Sequence, residues 1–244
     1  MIVIWGFGKK PAMHRMILLL VLTASVAEAK WTSLFNGKDL TGWTVKCKPQ
    51  DKGTKFWKVA DGAIVCDSIG RKDHDYVWLM TEKEFGDFEL AVKFQAFKDS
   101  RGNSGIQVRS RYDDSAGWLD GPQVDIHPPA PWRTGLIYDE TRGERRWINP
   151  SLKSSAIDPS HAPKQWKFKY DGEENGWNEL TIICRGLHIK TILNGFVMSD
   201  YDGTGVLDNA AHKTPDVGRR GHIAFQLHNR DELRIRFKEI KIRE

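Results

Sequence analysis

Apolar and polar residues alternate along most of the chain with a period of two, most cleanly over residues 88–97. Phe88, Leu90, Val92, Phe94 and Ala96 share one parity, while Glu89, Lys93 and Gln95 take the other. Successive side chains of a strand point to opposite faces, so this spacing predicts a half-buried strand rather than a helix. Val and Phe also suit a pleated surface. Similar runs recur at 56–59, 63–66, 76–80, 106–109, 123–127, 136–138, 177–184, 187–193, 196–200, 222–228 and 233–242. Asp61-Gly62 and Asn194-Gly195 separate adjacent runs and predict tight hairpins, because both central residues of such a turn need positive φ. Pro128-Pro129 ends one run, since proline has no N–H to give a ladder. About a dozen short strands, regularly spaced and without a long helix, predict an all-β chain folded as an antiparallel sandwich or barrel. Residues 141–165, with Pro150, Pro159 and Pro163, read as an irregular surface loop of the kind that often rims a site.

Composition supports a single folded unit. The chain has 244 residues, 40% of them hydrophobic, and its ten Trp and eleven Phe supply ample surface to bury. We expect one domain over residues 30–244. The N-terminus reads as an export signal. Arg15 precedes the apolar run 16–22, and Ala27 and Ala29 are the small residues a signal peptidase reads. Met13 is an alternative start that would make residues 1–12 a mis-assigned beginning. The apolar run is shorter than the roughly 20 residues a membrane span needs. A secreted or periplasmic protein without a membrane anchor is therefore expected.

Charge and cysteines exclude several function classes. Loss of residues 1–29 removes Lys9, Lys10, Arg15 and Glu28, which lowers the formal charge from +5 to +3. That is too small and too dispersed for a nucleic-acid partner. The cysteines, Cys47, Cys66 and Cys184, are odd in number and sparse, so they form no disulfide framework, although Cys47 and Cys66 could pair after export. No two have metal-finger spacing. No cofactor is predicted; a divalent metal is compatible with the His and Asp content, but no ligand spacing demands one.

Candidate chemistry lies on the polar parities of three strands: Gln107, Arg109 and Arg111; Gln123, Asp125 and His127; and His222, Gln226 and His228. A solvated sheet face is usually rich in Lys, Glu and Thr. Gln, Arg, Asp and His instead form directional hydrogen bonds and titrate near neutrality. Tyr138 and Glu140 have matching parity on the next segment. Trp118, Trp132 and Trp147 lie in neighbouring loops, where indole rings often stack on sugars. If the strands are neighbours, these residues form one surface.

The residues also carry a family resemblance. WTSLFNGKDLTGW (31–43), FGDFELAVKFQAFKDSRGNSGIQVRSR (85–111), GPQVDIHPPAPWRTGLIYDE (121–140), WNELTIICRGLHIKTILNGFVMSDY (177–201) and GHIAFQLHNRDELRIRFKEIKI (221–242) resemble the 3-keto-disaccharide hydrolase domain family, in order and over nearly the whole mature chain. The resemblance implies a concanavalin A-like jelly roll of the lectin and glucanase type. It also implies an exported protein whose partner is a small-molecule carbohydrate, a glycoside oxidised to a ketone at C3. Asn103 and Arg109 fall in the family's NSG-x-x-x-R segment, Gln123 and Asp125 in Q-x-D, Tyr138 and Glu140 in G-x-x-YDE, and Gln226 and His228 in Q-x-H.

The implied chemistry suits these residue types. A C3 ketone acidifies the C2 hydrogen. A base removes that proton, the enolate expels the oxygen at C1, and water adds to the unsaturated sugar. The expected roles are His228 or His127 as base, Arg109 at the enolate oxygen, and Asp125 or Glu140 orienting the base or assisting the leaving group. Asn103, Gln107, Arg111, Gln123, Tyr138, Gln226, Trp118 and Trp132 are expected to hold the sugar. Two other readings use the same surface. One is a conventional glycoside hydrolase with carboxylates Asp125 and Glu140; the other is a carbohydrate-binding module without a catalytic base.

Overall fold

A computed structural model describes residues 1–3, 6, 8, 29–164, 166–173 and 176–244. The expected signal segment, residues 1–29, lies almost wholly outside them. Among the described residues, no helix is long and apolar enough to cross a membrane.

The alternating runs become strands. In chain order they are β1 (Thr32–Ser33), β2 (Trp43–Cys47), β3 (Trp57–Ala60), β4 (Ala63–Asp67), β5 (Val77–Thr81), β6 (Phe88–Ala96), β7 (Ser104–Asp113) and β8 (Trp118–Asp120). There follow β9 (Pro122–Ile126), β10 (Ile137–Asp139), β11 (Arg146–Asn149), β12 (Asn178–Arg185), β13 (His188–Leu193), β14 (Phe196–Asp202), β15 (His222–Leu227) and β16 (Arg234–Arg243). One sheet runs β14-β13-β12-β6-β16-β4-β3, with β1 beside β16; the other runs β11-β10-β9-β7-β15-β5-β2, with β8 beside β7. Every strand pair is antiparallel. The chain is an all-β sandwich: alternation leaves a sandwich or a barrel open, and the two separate sheets decide for the sandwich.

The core fills the space between the sheets. Phe88, Leu90, Val92 and Phe94 of β6 meet Ile106, Val108, Val124, Ile126 and Phe225 from the second sheet. Phe225 stacks on Phe237 of β16 with centroids 4.2 Å apart, and on Trp43 at 5.1 Å. Burying each such ring contributes roughly 1.5–3 kcal/mol. Both predicted hairpins form: Asp61 and Gly62 have φ of 50° and 68°, and Asn194 and Gly195 have 48° and 84°. Cys47, Cys66 and Cys184 are all buried free thiols, so the suggested Cys47–Cys66 pair is not made.

Two segments read as loops contain further strands. Trp118–Asp120 pairs with the end of β7, and Arg146–Asn149 pairs with β10. Both are too short for alternation to register. The stretch after β14 contains a single helical turn, Ala210–Lys213 (α1), started by the Asn209 side chain accepting from the His212 N–H.

Candidate active site

The second sheet turns its other face away from the core, and that face builds the site. β9 presents Gln123 and Asp125, and β15 presents Gln226 with His228 just beyond its end. β10 presents Tyr138 with Glu140 just beyond it, and Tyr76 immediately precedes β5. Gly105 on β7 lies in register between Asp125 and Gln226. Its missing side chain is needed, because a Cβ there would stand 2.4 Å from Cδ of Gln123. We expect Gly105→Ala to push the Gln123 amide into the site and raise the KM for a sugar substrate about tenfold. Overpacking of this kind costs about 1–3 kcal/mol. An unchanged KM would show that the space above Gly105 is not used for binding.

Loops wall this face, so its polar groups are buried rather than solvated. Trp118 meets Tyr76 and Trp78 edge-on, with centroids 5.0 and 5.8 Å apart, and its Nε1 donates to the Glu140 carbonyl at 2.9 Å. Trp147 meets Tyr138 edge-on at 5.2 Å, lies 4.8 Å below the Arg133 guanidinium, and donates to the Ser155 carbonyl at 3.0 Å. Behind β10, Asp139 faces the buried His212 of α1, Oδ2 to Nε2 3.1 Å, and accepts from the Thr141 N–H, which steadies the Tyr138–Glu140 segment.

The hollow has a volume of about 240 Å³. Six residues expected at the site line it: Asn103, Gln123, Asp125, Tyr138, Glu140 and His228. Gln226 lies in the floor, its Nε2 donating to Glu140 Oε1 at 3.4 Å. A larger concavity of about 680 Å³ lies beside Arg111, Tyr112 and Arg142. Its charges already have partners, Arg142 with Asp113 and Asp120 and Arg111 with Glu84 and Asp216. The smaller hollow is different. Asn103 Oδ1, Gln123 Oε1, Asp125 Oδ2, Glu140 Oε2 and Gln226 Oε1 are buried there without a hydrogen-bond partner. Buried polar atoms are normally satisfied. A group of unpaired acceptors suits a ligand rich in hydroxyl donors.

Burial sets the electrostatics. It raises the Asp125 carboxyl from its ordinary 3.8 to about 6, against the opposing charges of Arg133 and His228. Arg133 Nε lies 3.2 Å from Asp125 Oδ2, but the two are not aligned for a hydrogen bond. Burial likewise raises Glu140 from 4.5 to about 7, against the pull of Arg145, whose Nε is 4.0 Å from Glu140 Oε2. At His228, burial works against the imidazolium. The Asp231 hydrogen bond and charge, the Glu140 charge and the Asn229 carbonyl outweigh it and raise the pKa. Nδ1 of His228 donates to Asn229 O at 3.2 Å and lies 3.4 Å from Asp231 Oδ2, leaving Nε2 3.0 Å from the Tyr76 hydroxyl.

Several expected site residues lie elsewhere. Arg109 is the main correction. The register of β7 slips between its pairings with His222 and Ala224, and Arg109 takes a φ of 52°. Gly221 lets the bulge approach: a Cβ on it would stand 2.6 Å from the Arg109 carbonyl carbon. This β-bulge resets the parity. The fully buried guanidinium donates to the carbonyls of Gly86, Gly186 and Gly218 and to Asp87 Oδ1, away from the hollow. Beyond the bulge, Arg111 pairs with Glu84 at 2.8 Å, joined by His222 at 3.6 Å. Gln107 keeps the expected face but is roofed by β8, its Nε2 donating to Leu119 O at 2.9 Å. His127 does not line the hollow, and burial with the nearby Arg133 charge lowers its pKa to about 4. Trp132 sits partly exposed on the 3-10 turn Pro131–Arg133, outside the lining, and Trp118 supports the wall rather than facing the hollow.

The structure adds Tyr76, Arg133, Arg145 and Ser155 to the lining, and of the three tryptophans singled out in the sequence it places Trp147 there. Alternation carries a signal for Tyr76, which shares parity with Trp78 and Met80 opposite the core residues Val77 and Leu79. Arg133 and Arg145 come from loops whose spacing carries none. Among the described residues, no group of three or more His, Cys, Asp or Glu is placed to hold a metal ion.

Comparison with known proteins identifies the family and agrees with the fold. A family model described as a 3-keto-alpha-glucoside-1,2-lyase-like domain matches residues 30–243. A crystal structure of a candidate glycosyl hydrolase from Parabacteroides distasonis ATCC 8503 superposes with a TM-score of 0.58 at 22% identity, covering 87% of this chain and 93% of that one. A Bacillus subtilis protein with a galectin-like fold gives 0.52 at 10% identity, covering 84% and 90%. The Emp46p carbohydrate recognition domain gives 0.51 at 13%, covering 88% and 98%. At these identities the structural likenesses show the fold. No curated protein sequence matches the chain.

Proposed function

The chain belongs to the family of 3-keto-alpha-glucoside-1,2-lyase-like domains, and we propose that this carbohydrate-active jelly roll cleaves 3-keto-glycosides by elimination and hydration. The observation that carries the reading is the placement of Glu140: its Oε2 is buried in the hollow without a hydrogen-bond partner, with the Arg145 guanidinium 4.0 Å away. Burial raises its pKa to about 7. A carboxylate tuned close to neutrality and carrying an unpaired oxygen suits proton abstraction next to a ketone.

Glu140 takes the role of base. No protein group donates a hydrogen bond to its Oε2, whereas Nε2 of His228 is taken up by Tyr76. Arg145, the guanidinium beside Glu140, replaces Arg109 as the cation nearest the developing enolate. The amide oxygens of Asn103, Gln123 and Gln226 accept sugar hydroxyls.

The test compares a 3-keto-disaccharide with its parent disaccharide in deuterated water. Turnover of the ketone alone, with deuterium entering at C2, is the expected result. Equal turnover of both sugars would favour the two-carboxylate hydrolase, and tight binding without turnover would make the domain a sugar-binding module.

A further inference from the structure

Glu140 can remove the C2 proton, but elimination also leaves a strongly basic alkoxide that needs a proton donor. Tyr76 is placed for that task. Tyr76 lines the hollow, and its hydroxyl lies 3.0 Å from Nε2 of His228, whose Nδ1 is held by Asn229 O and faces Asp231 Oδ2 at 3.4 Å. The ring is fixed by stacking on Trp78, centroids 5.4 Å apart and planes 11° apart, and by the edge contact with Trp118.

We propose that Tyr76 is the general acid for the departing glycosidic oxygen and that the His228–Asp231 pair supplies its proton. The inference rests on the elimination reading above. Glu140 takes the C2 proton and the enolate forms. As the enolate collapses, the C3 carbonyl re-forms, the C1–C2 double bond forms, and the C1–O bond breaks with its electron pair on oxygen. That oxygen takes the Tyr76 hydroxyl proton, and Tyr76 takes one from Nε2 of the His228 imidazolium. In hydration, water adds at C1, its proton returns through Tyr76 to His228, and C2 recovers a proton from Glu140. Protons and electrons balance over the cycle, with water as the co-reactant. Burial and the Glu140 charge disfavour tyrosinate, so the phenol remains a donor at neutral pH. The Asp231 carboxylate, held low through its hydrogen bonds with His228 and the Asn103 N–H despite burial, stabilises the imidazolium.

Leaving-group dependence tests the role. Methyl and 4-nitrophenyl 3-keto-glucosides differ in how much protonation the departing oxygen needs. Tyr76→Phe should lower kcat about 100-fold or more on the methyl glycoside and less than about tenfold on the nitrophenyl one, in the range general acids contribute. C2 deuterium exchange should persist in the variant, because Glu140 is untouched. Equal losses on both substrates, or full activity on both, would overturn the assignment of Tyr76 alone. A wild-type protein that neither exchanges C2 hydrogen nor cleaves either glycoside would overturn the elimination reading and this assignment with it. Should Tyr76→Phe fold poorly, His228→Asn should show the same leaving-group bias, and equal losses there would likewise overturn the assignment.

Discussion

Glu140→Gln is expected to lower kcat/KM on a 3-keto-glycoside by roughly three orders of magnitude, within the span attributed to general bases, while making the folded protein more stable at pH 8. The two effects share one cause. The wild-type carboxyl is buried and its pKa stands at about 7 against an ordinary 4.5. A carboxyl raised in the folded state binds its proton more tightly there than in the unfolded chain. Folding is therefore unaffected by this group below about pH 4.5 and loses stability as pH rises towards 7. Above that, the wild type carries a cost on the order of 3 kcal/mol, at about 1.4 kcal/mol per pH unit. Glutamine keeps the shape without the charge. The variant's advantage in urea unfolding should be largest at pH 8 and vanish near pH 4.5. Wild-type kcat/KM should rise with pH through about 7 as Glu140 ionises and fall again where the His228 imidazolium loses its proton, and a variant with wild-type turnover would remove Glu140 from the reaction.

Arg109→Ala should act on stability instead of chemistry. The substitution empties a fully buried site and removes the donor to the carbonyls of Gly86, Gly186 and Gly218. A cavity and unpaired acceptors of this size cost on the order of 3 kcal/mol. For a chain of this length that corresponds to a fall in Tm of about 6–12 °C. Turnover per folded molecule, measured well below that Tm, should stay within about threefold of wild type, because the guanidinium lies outside the hollow. Normal stability with turnover reduced about a hundredfold would restore Arg109 to the enolate oxygen.

The contrast between these residues shows what alternation reports. Asp125, Gln123, Gln226 and Tyr138 lie on the face their parity assigns, because β9, β10 and β15 run without interruption through the site. Arg109 has the same parity as Gln107 and points elsewhere, because one extra residue is accommodated where β7 passes Gly221 and His222. Nothing within β7 announces that slip; its cause lies on another strand more than a hundred residues away. The histidines divide for a similar reason. His228 gains Asp231 and Tyr76 as neighbours, whereas His127 receives burial and the Arg133 charge.

From the order of residues alone came the all-β antiparallel architecture, the hairpins at Asp61-Gly62 and Asn194-Gly195, and the segments that carry the chemistry. These depend on side-chain period and turn conformation, which are local properties. Only the folded chain decided that Tyr76, Arg133 and Arg145 join the hollow, that Arg109 leaves it, and that Asp125 and Glu140 titrate near neutrality. Those outcomes depend on strand register and on water being excluded by loops from distant parts of the sequence, and neither is encoded within a single strand.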